Sequence, residues 1–239
     1  LFITNFYDES NCLYMQQLGH FFIDATRQTG LRDPSYEMLG FGAQFIDGEL
    51  DGLPDLVLMN GHLDDRTDEG IAYRMRPQYF RNQGGSRFVE SAADSLGPFF
   101  QSKRLGRGLA RLDWNRDGRE DFAVSDLLGP SALVTNTTQD SGNFVAVRLR
   151  GIRSSRDAIG AQVTVIAGGR LQVQQLVAGD GYQASNQRQL IFGVAQRESI
   201  ENLEVRWPSG LKTSWPNLEV NEEFLLLEGH PFAYCRTHR

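Results

Sequence analysis

Hydrophobic positions along this chain come in short bursts. Leu56-Val57-Leu58-Met59 and Phe224-Leu225-Leu226-Leu227 are unbroken apolar runs of strand length. Phe144 to Arg150, Gln162 to Ile166, Leu171 to Val177, Leu203 to Trp207 and Phe224 to Leu227 read as strands. Several alternate apolar and polar residues, the period-two signature of a half-buried strand. Turns bearing Gly and Pro separate the bursts, and no long segment carries a helical period. None of the runs approaches the roughly 20 apolar residues that a membrane-crossing helix needs. The pattern predicts an all-β chain without a membrane span.

The bursts repeat. The stretch from Gly40 through Asp47-Gly48-Glu49-Leu50-Asp51-Gly52-Leu53-Pro54-Asp55 lays over Gly106 through Asp113-Trp114-Asn115-Arg116-Asp117-Gly118-Arg119-Glu120-Asp121. The offset is 66 residues (113 − 47). Leu13 to Asp24 and Tyr79 to Glu90 give the same period, from Tyr14 to Phe80 (80 − 14). A period of this length filled with short strands predicts one propeller-type blade per repeat. Residues 61–77 interrupt the pattern with a longer, acidic connection containing Asp64, Asp65, Asp68 and Glu69. It reads as a solvated loop, with partner binding or extra cation ligands as the alternative.

From about Asn143 the character changes. The expected organisation is blades over 1–138, a small β-sandwich or barrel-like domain over 143–229, and a tail over 230–239. Two complete loops and one headless repeat are fewer than the four to eight blades of a closed propeller. The expectation is therefore an incomplete propeller, with further repeats upstream and an edge covered by another segment or copy.

The acidic loops carry the sharpest chemistry. Oxygen donors at alternate positions of a tight loop converge on one point, and calcium takes six to eight oxygens. Asp113, Asn115, Asp117 and Asp121 can offer side-chain oxygens, Arg119 its carbonyl, and Gly118 the bend. Asp47, Glu49, Asp51 and Asp55 repeat the layout, with the Leu53 carbonyl and Gly52. Two calcium sites are the expectation. The alternative is a pair of polar turns, since Asp, Asn and Gly favour turns in any case. These are not EF-hands, because Val124 and Leu58 stand where the bidentate glutamate belongs.

Composition narrows the rest. The formal net charge of −6 and a pI of about 5.3 argue against nucleic acid as a partner. His20, His62, His230 and His238 lack metal-ligand spacing and read as surface or turn residues. There is no nucleophile elbow, and Gly179-Asp180-Gly181 leaves no room for a phosphate-capping helix before Leu190. No catalytic set is assigned. Trp207 and Trp215, beside Pro208 and Pro216, read as structural turn aromatics, with a carbohydrate platform as the alternative. Cys12 and Cys235 stand as a possible disulfide or as two free thiols.

The loops and the apolar strands after them resemble FG-GAP (VCBS-type) repeats, found also in integrin α-subunit propellers. The C-terminal part resembles the ASPIC/UnbV domain of cartilage acidic protein and its bacterial relatives. The matching residues are Arg156 to Ala161, Gly179-Asp180-Gly181-Tyr182 with Ser185-Asn186, Phe192-Gly193, and Val205-Arg206-Trp207-Pro208-Ser209-Gly210. The resemblance implies an extracytoplasmic protein, with calcium in its blade loops and no established catalysis. Its calcium pattern carries over to both loops, with Glu49 departing from the usual Asp or Asn. The expected function is a binding or adhesion module for a protein or glycan. A polysaccharide-active propeller enzyme and a structural spacer are the alternatives.

Overall fold

The computed structural model describes residues 1–18, 20–84 and 87–236. The chain is all-β, and among the described residues the helices are short turns such as Arg32–Ser35 and Pro98–Gln101. Three blade-type sheets come first. The first contains β1 (Phe2–Ile3), β2 (Cys12–Gln16) and β3 (Phe22–Asp24). The second contains β4 (Gly40–Ile46), β5 (Asp55–Asn60), β6 (Gln78–Asn82) and β7 (Phe88–Glu90), and the third β8 (Gly106–Leu112), β9 (Asp121–Asp126) and β10 (Ala132–Val134).

The repeat holds down to strand register. Gly40 pairs with Asn60, the register then shifts, and Ala43 pairs with Leu58. Gly106 pairs with Asp126, the register shifts at the same place, and Leu109 pairs with Val124. A bulge kept at one repeat position is a built feature, here letting the inner strand bend past its neighbour. Gly42 is the reason it can. A Cβ there would lie 2.6 Å from the Arg107 carbonyl and 2.8 Å from Leu109. β2 pairs with β3 as β6 pairs with β7, Tyr14 facing Asp24 and Phe80 facing Glu90.

β5 explains the apolar run in its sequence. Every residue of it is buried. Leu56 and Leu58 join Leu13, Leu31, Phe80 and Phe88 on the side of the first blade. Val57 and Met59 join Phe100, Leu109, Phe122 and Val124 on the side of the third. A strand covered on both faces needs apolar residues at every position, and each such side chain contributes about 1.5–3 kcal/mol.

Two four-stranded sheets follow. One runs β14 (Leu190–Gly193), β11 (Phe144–Arg150), β17 (Glu222–Leu227), β18 (Ala233–Cys235), with β11 and β17 parallel. The other runs β13 (Arg170–Gln175), β12 (Gln162–Ala167), β15 (Ser199–Arg206), β16 (Lys212–Glu219). They share one core, with Val145, Val147 and Phe224 from the first facing Val163, Val165, Leu203 and Val205 from the second. This is a sandwich, and β18 brings part of the expected tail into it.

Several local readings change. His62 is buried, its Nδ1 held at the Asp64 backbone and its ring edge-on to Phe6 and Tyr7. Trp207 and Trp215 are buried in the sandwich core, so neither offers a carbohydrate platform. Both cysteines are free. In the 61–77 connection, Asp65 accepts the Thr67 N–H and Glu69 pairs with Arg66, which makes it a self-contained polar loop. His238 lies outside the described residues. Among the described residues no helix is long and apolar enough to cross a membrane.

Candidate functional site

Loop 1 (Asp47 to Asp55) joins β4 to β5, and loop 2 (Asp113 to Asp121) joins β8 to β9. Each opens on an aspartate that folds the loop over itself. Asp47 accepts the N–H groups of Asp51 and Gly52 at 3.0 and 2.7 Å. Asp113 accepts those of Asp117 and Gly118, both at 3.1 Å. Asp51 then accepts the Leu53 N–H at 2.7 Å, and Asp117 the Arg119 N–H at 3.0 Å. The closing aspartate ties the loop to its blade. Asp55 accepts N–H from Gly48 and Asn82, and Asp121 accepts it from Trp114 and Asn136. Each of these amide bonds in one loop has its counterpart in the other.

Backbone conformation repeats as well. Gly52 and Gly118 have φ of +80° and +81°, which only glycine adopts freely. Leu50 and Arg116, also 66 residues apart, sit at +57° and +60°. A non-glycine residue there is strained by about 1–3 kcal/mol and persists where its surroundings over-determine it.

The side-chain fillings differ. Asn115 stays within loop 2, its Nδ2 donating to Asp117 at 2.8 Å. Glu49, at the same position of loop 1, pairs with Arg81 at 3.0 Å. Asp55 takes a third bond from the Tyr79 hydroxyl at 2.5 Å, while Asp117 pairs with Arg119.

Burial sets the electrostatics. It pushes Asp47 up to about 7, with the charges of Asp51 and Glu120 adding to it against the Gly52 and Asp51 amides. Burial raises Asp121 to about 6, against the Asn136 and Trp114 amides and with Asp117 and Asp113 nearby. Glu49 rises to about 7 by burial and then by its contact with Asp55. Asp113 is raised by burial too. Both loops thus crowd carboxylates in partly dry surroundings.

As placed, these acids turn mainly onto amides. Among the described residues no three His, Cys, Asp or Glu side chains are grouped so as to hold a metal ion. Donor chemistry separates the two loops. Loop 2 combines three carboxylates, the Asn115 amide oxygen and the Arg119 carbonyl, all hard oxygens suited to calcium. Each carboxylate oxygen accepting one N–H keeps a further lone pair. Loop 1 fits less well at its closing aspartate, where Asp55 Oδ2 accepts both the Gly48 N–H and the Tyr79 hydroxyl; Glu49 is held by Arg81 much as Asp117 of loop 2 is held by Arg119.

Residues beyond the sequence motif complete the site. Asn82 and Asn136 anchor the closing aspartates, and the Asn136 side chain also donates to the Gly48 carbonyl of the neighbouring loop at 3.0 Å. Glu120 bridges the same two blades, accepting the Asp47 N–H at 3.2 Å and pairing with Arg111 at 2.9 Å. Two clefts of about 430 and 460 Å³ flank Arg111. The first runs along Phe41, Gln44 and Tyr182, the second between Ile46 and strand β13.

An all-β protein of propeller-type blades followed by a sandwich is the class that this architecture defines. Residues 151–231, about a third of the chain, match the family model described as ASPIC and UnbV. No curated protein matches the chain.

Proposed function

We propose that the chain is a calcium-stabilised, non-catalytic binding module of an extracytoplasmic protein, its blades being FG-GAP-type repeats. The observation that carries this reading is the duplicated loop skeleton: three aspartates and two left-handed positions recur 66 residues apart, with matching amide bonds onto the aspartates. A polar turn needs only a fraction of these acids. Asp113, Asn115, Asp117, Asp121 and the Arg119 carbonyl would hold the cation in loop 2. Asp47, Asp51, Asp55 and the Leu53 carbonyl are their counterparts in loop 1. Bound calcium would supply the positive charge that the crowded carboxylates lack.

The clefts beside Arg111 are the surface on which a protein or glycan ligand would be received. Three carboxylates line them, and their commitments support binding over turnover: Glu120 is held by Arg111, Asp180 accepts a bond from Asn186, and Asp47 accepts two amides of its own loop. Melting the full chain in calcium and in chelator tests the proposal. At a free concentration one hundred times Kd, one site adds about 2.7 kcal/mol. A melting temperature indifferent to chelator would overturn the calcium reading.

A further inference from the structure

Both loops sit against the C-terminal sandwich, and they meet it with their strained residues. The Leu50 side chain enters a small core with Phe144, Ala146 and Ile191. The Leu50 carbonyl accepts the Ala195 N–H at 2.9 Å, and the Glu49 carbonyl accepts the Gly142 N–H at 2.8 Å. Arg170 reaches from β13 to the carbonyls of Asp51 and Gly52 at 3.1 and 2.7 Å. In loop 2 the Arg116 side chain pairs with buried Glu223 at 2.7 Å. Gly118 lies flat under the Phe144 ring, where a Cβ would fall 2.0 Å from it.

Between the loops the sandwich sends one segment across the inner strands. The Asn186 side chain accepts the Arg111 N–H at 2.8 Å and donates to Gln44 at 3.0 Å. The Gln187 N–H donates to the Arg111 carbonyl at 2.9 Å, and its side-chain oxygen accepts the Asp113 N–H at 2.7 Å. Gln44 in turn donates to the Asp180 carbonyl at 3.2 Å, and Tyr182 meets Phe41 edge-on at 5.0 Å. One short stretch therefore fastens to β8 through one backbone bond and two side-chain bonds, and reaches β4 as well.

We infer that the sandwich is a clamp for a tandem pair of blades: Asp180 to Gln187 reads their inner strands, and the two acidic loops are its grips. The partner that this surface fits is two adjacent blades carrying the Gly-x-Gly inner strand and its acidic loop. A Cβ at Gly108 would lie 3.1 Å from the Ser125 hydroxyl and 3.4 Å from the Tyr182 carbonyl, and one at Gly181 would lie 3.1 Å from the Ala43 carbonyl. The approach is tightest at Gly181, which also has a left-handed φ of +74°; at Gly108 the sandwich carbonyls lie at ordinary contact distance. Because the strained turns of the loops are what the sandwich grips, cation binding and clamping reinforce each other. That extension rests on the calcium reading; the clamp itself does not. Linkage is reciprocal, so loosening the clamp weakens cation binding by the same factor that cation removal loosens the clamp.

Native-state hydrogen exchange on the full chain tests this, comparing wild type with Arg116→Ala and Arg170→Ala, two changes at partly exposed side chains. Each removes one side-chain contact between the sandwich and a loop. If the clamp acts as a unit, Arg116→Ala speeds exchange at Gly142 and Ala195 in loop 1's contacts, and Arg170→Ala speeds it at Asp113 and Gln187. Exchange that changes only beside the substituted residue overturns the clamp. Calcium titration of the same proteins tests the linkage, with an expected loss of up to about fivefold in affinity for Arg116→Ala. Unchanged affinity, with wild type binding calcium, overturns the linkage alone. A wild type that binds no calcium overturns the calcium reading and the linkage together, and the exchange data still decide the clamp.

Discussion

Loops 1 and 2 share one backbone and one set of carboxylate–amide bonds, yet they are fastened to the molecule in different ways. Loop 1 is a core element. At the strained fourth position it carries Leu50, which is 1% exposed and packed among Phe144, Ala146 and Ile191. Loop 2 carries Arg116 there, with its side chain 37% exposed and its guanidinium on Glu223. The same turn can therefore be held by apolar burial or by a charge pair. The choice decides how strongly each loop resists solvent, acid and substitution.

The largest expected effect follows from that contrast. Leu50→Ala removes a buried aliphatic side chain and should cost about 2–5 kcal/mol. Arg116→Ala leaves Glu223 paired with Arg148 and Arg236, and should cost no more than about 1 kcal/mol. Urea denaturation of the two variants measures both. Equal losses would show that the two attachments are energetically alike.

Calcium separates the loops in the other direction. If loop 2 has the better oxygen set, Asp117→Ala should remove most of the calcium-induced stabilisation, about 2.7 kcal/mol at one hundred times Kd. Asp51→Ala should remove less. Glu49→Asn copies Asn115 into loop 1 and frees that position from Arg81, so it should strengthen loop 1's binding. Isothermal titration of the three variants reads the order. An Asp51→Ala loss exceeding that of Asp117→Ala would reverse the assignment.

Much of this was legible in the sequence, for a local reason. The repeat, its bulge and its acidic turns are specified by glycines and aspartates whose spacing the backbone dictates, so they align letter by letter. The continuous apolar run of β5 marked a strand, and its burial on both faces came from the blades packed on either side. The partners across space were not legible. Glu49 and Asn115 occupy one column of the repeat, but only the presence of Arg81 opposite Glu49 gives that side chain a partner outside the loop. Ser185-Asn186 stood out as a family mark, while the pairing of Asn186 with Arg111 depends on how the sandwich lies across β8. Trp207 looked exposed because Pro, Ser and Gly follow it; its burial comes from the second sheet. Glu228 is a further case. Burial pushes its carboxyl up, but the amides of Ser154 and Ile152 and the hydroxyls of Ser209 and Ser154 outweigh this and hold it near 2. Nothing in the Trp207-Pro208-Ser209-Gly210 motif by itself points to that glutamate.

Glycine substitutions sharpen the comparison at backbone level. Gly52 and Gly118 share a left-handed φ, so alanine strains both alike. Their surroundings differ. A Cβ on Gly118 would fall 2.0 Å from the Phe144 ring, whereas on Gly52 its nearest neighbours are 3.0 Å away. Gly118→Ala should therefore carry an extra overpacking cost of about 1–3 kcal/mol that Gly52→Ala largely escapes. Thermal melts of the pair at one pH decide it, and matching melting temperatures would mean that Phe144 moves aside freely.

The smallest expected effect is in the pH dependence, and it isolates the charge-held loop. Burial raises the Glu223 carboxyl, but the Arg116 hydrogen bond and the charges of Arg148, Arg236 and Arg116 outweigh it, so the group sits below the ordinary glutamate value of 4.5. The folded state thus holds this proton more weakly than the unfolded chain. The stabilisation is fully present above the unfolded value and is lost as pH falls through the folded one. Loop 1, held by Leu50, has no such group at its grip. Acidification below about pH 4.5 should accordingly loosen loop 2 before loop 1, seen as earlier loss of exchange protection at Gly118 than at Gly52. Arg116→Ala removes the first of the opposing contributions, so carbon-detected titration should place Glu223 higher in the variant than in wild type, with the acid limb of stability moved up by the same amount. An unchanged Glu223 titration would mean that Arg148 and Arg236 alone set its charge, and that Arg116 steadies loop 2 through packing of its side-chain stem.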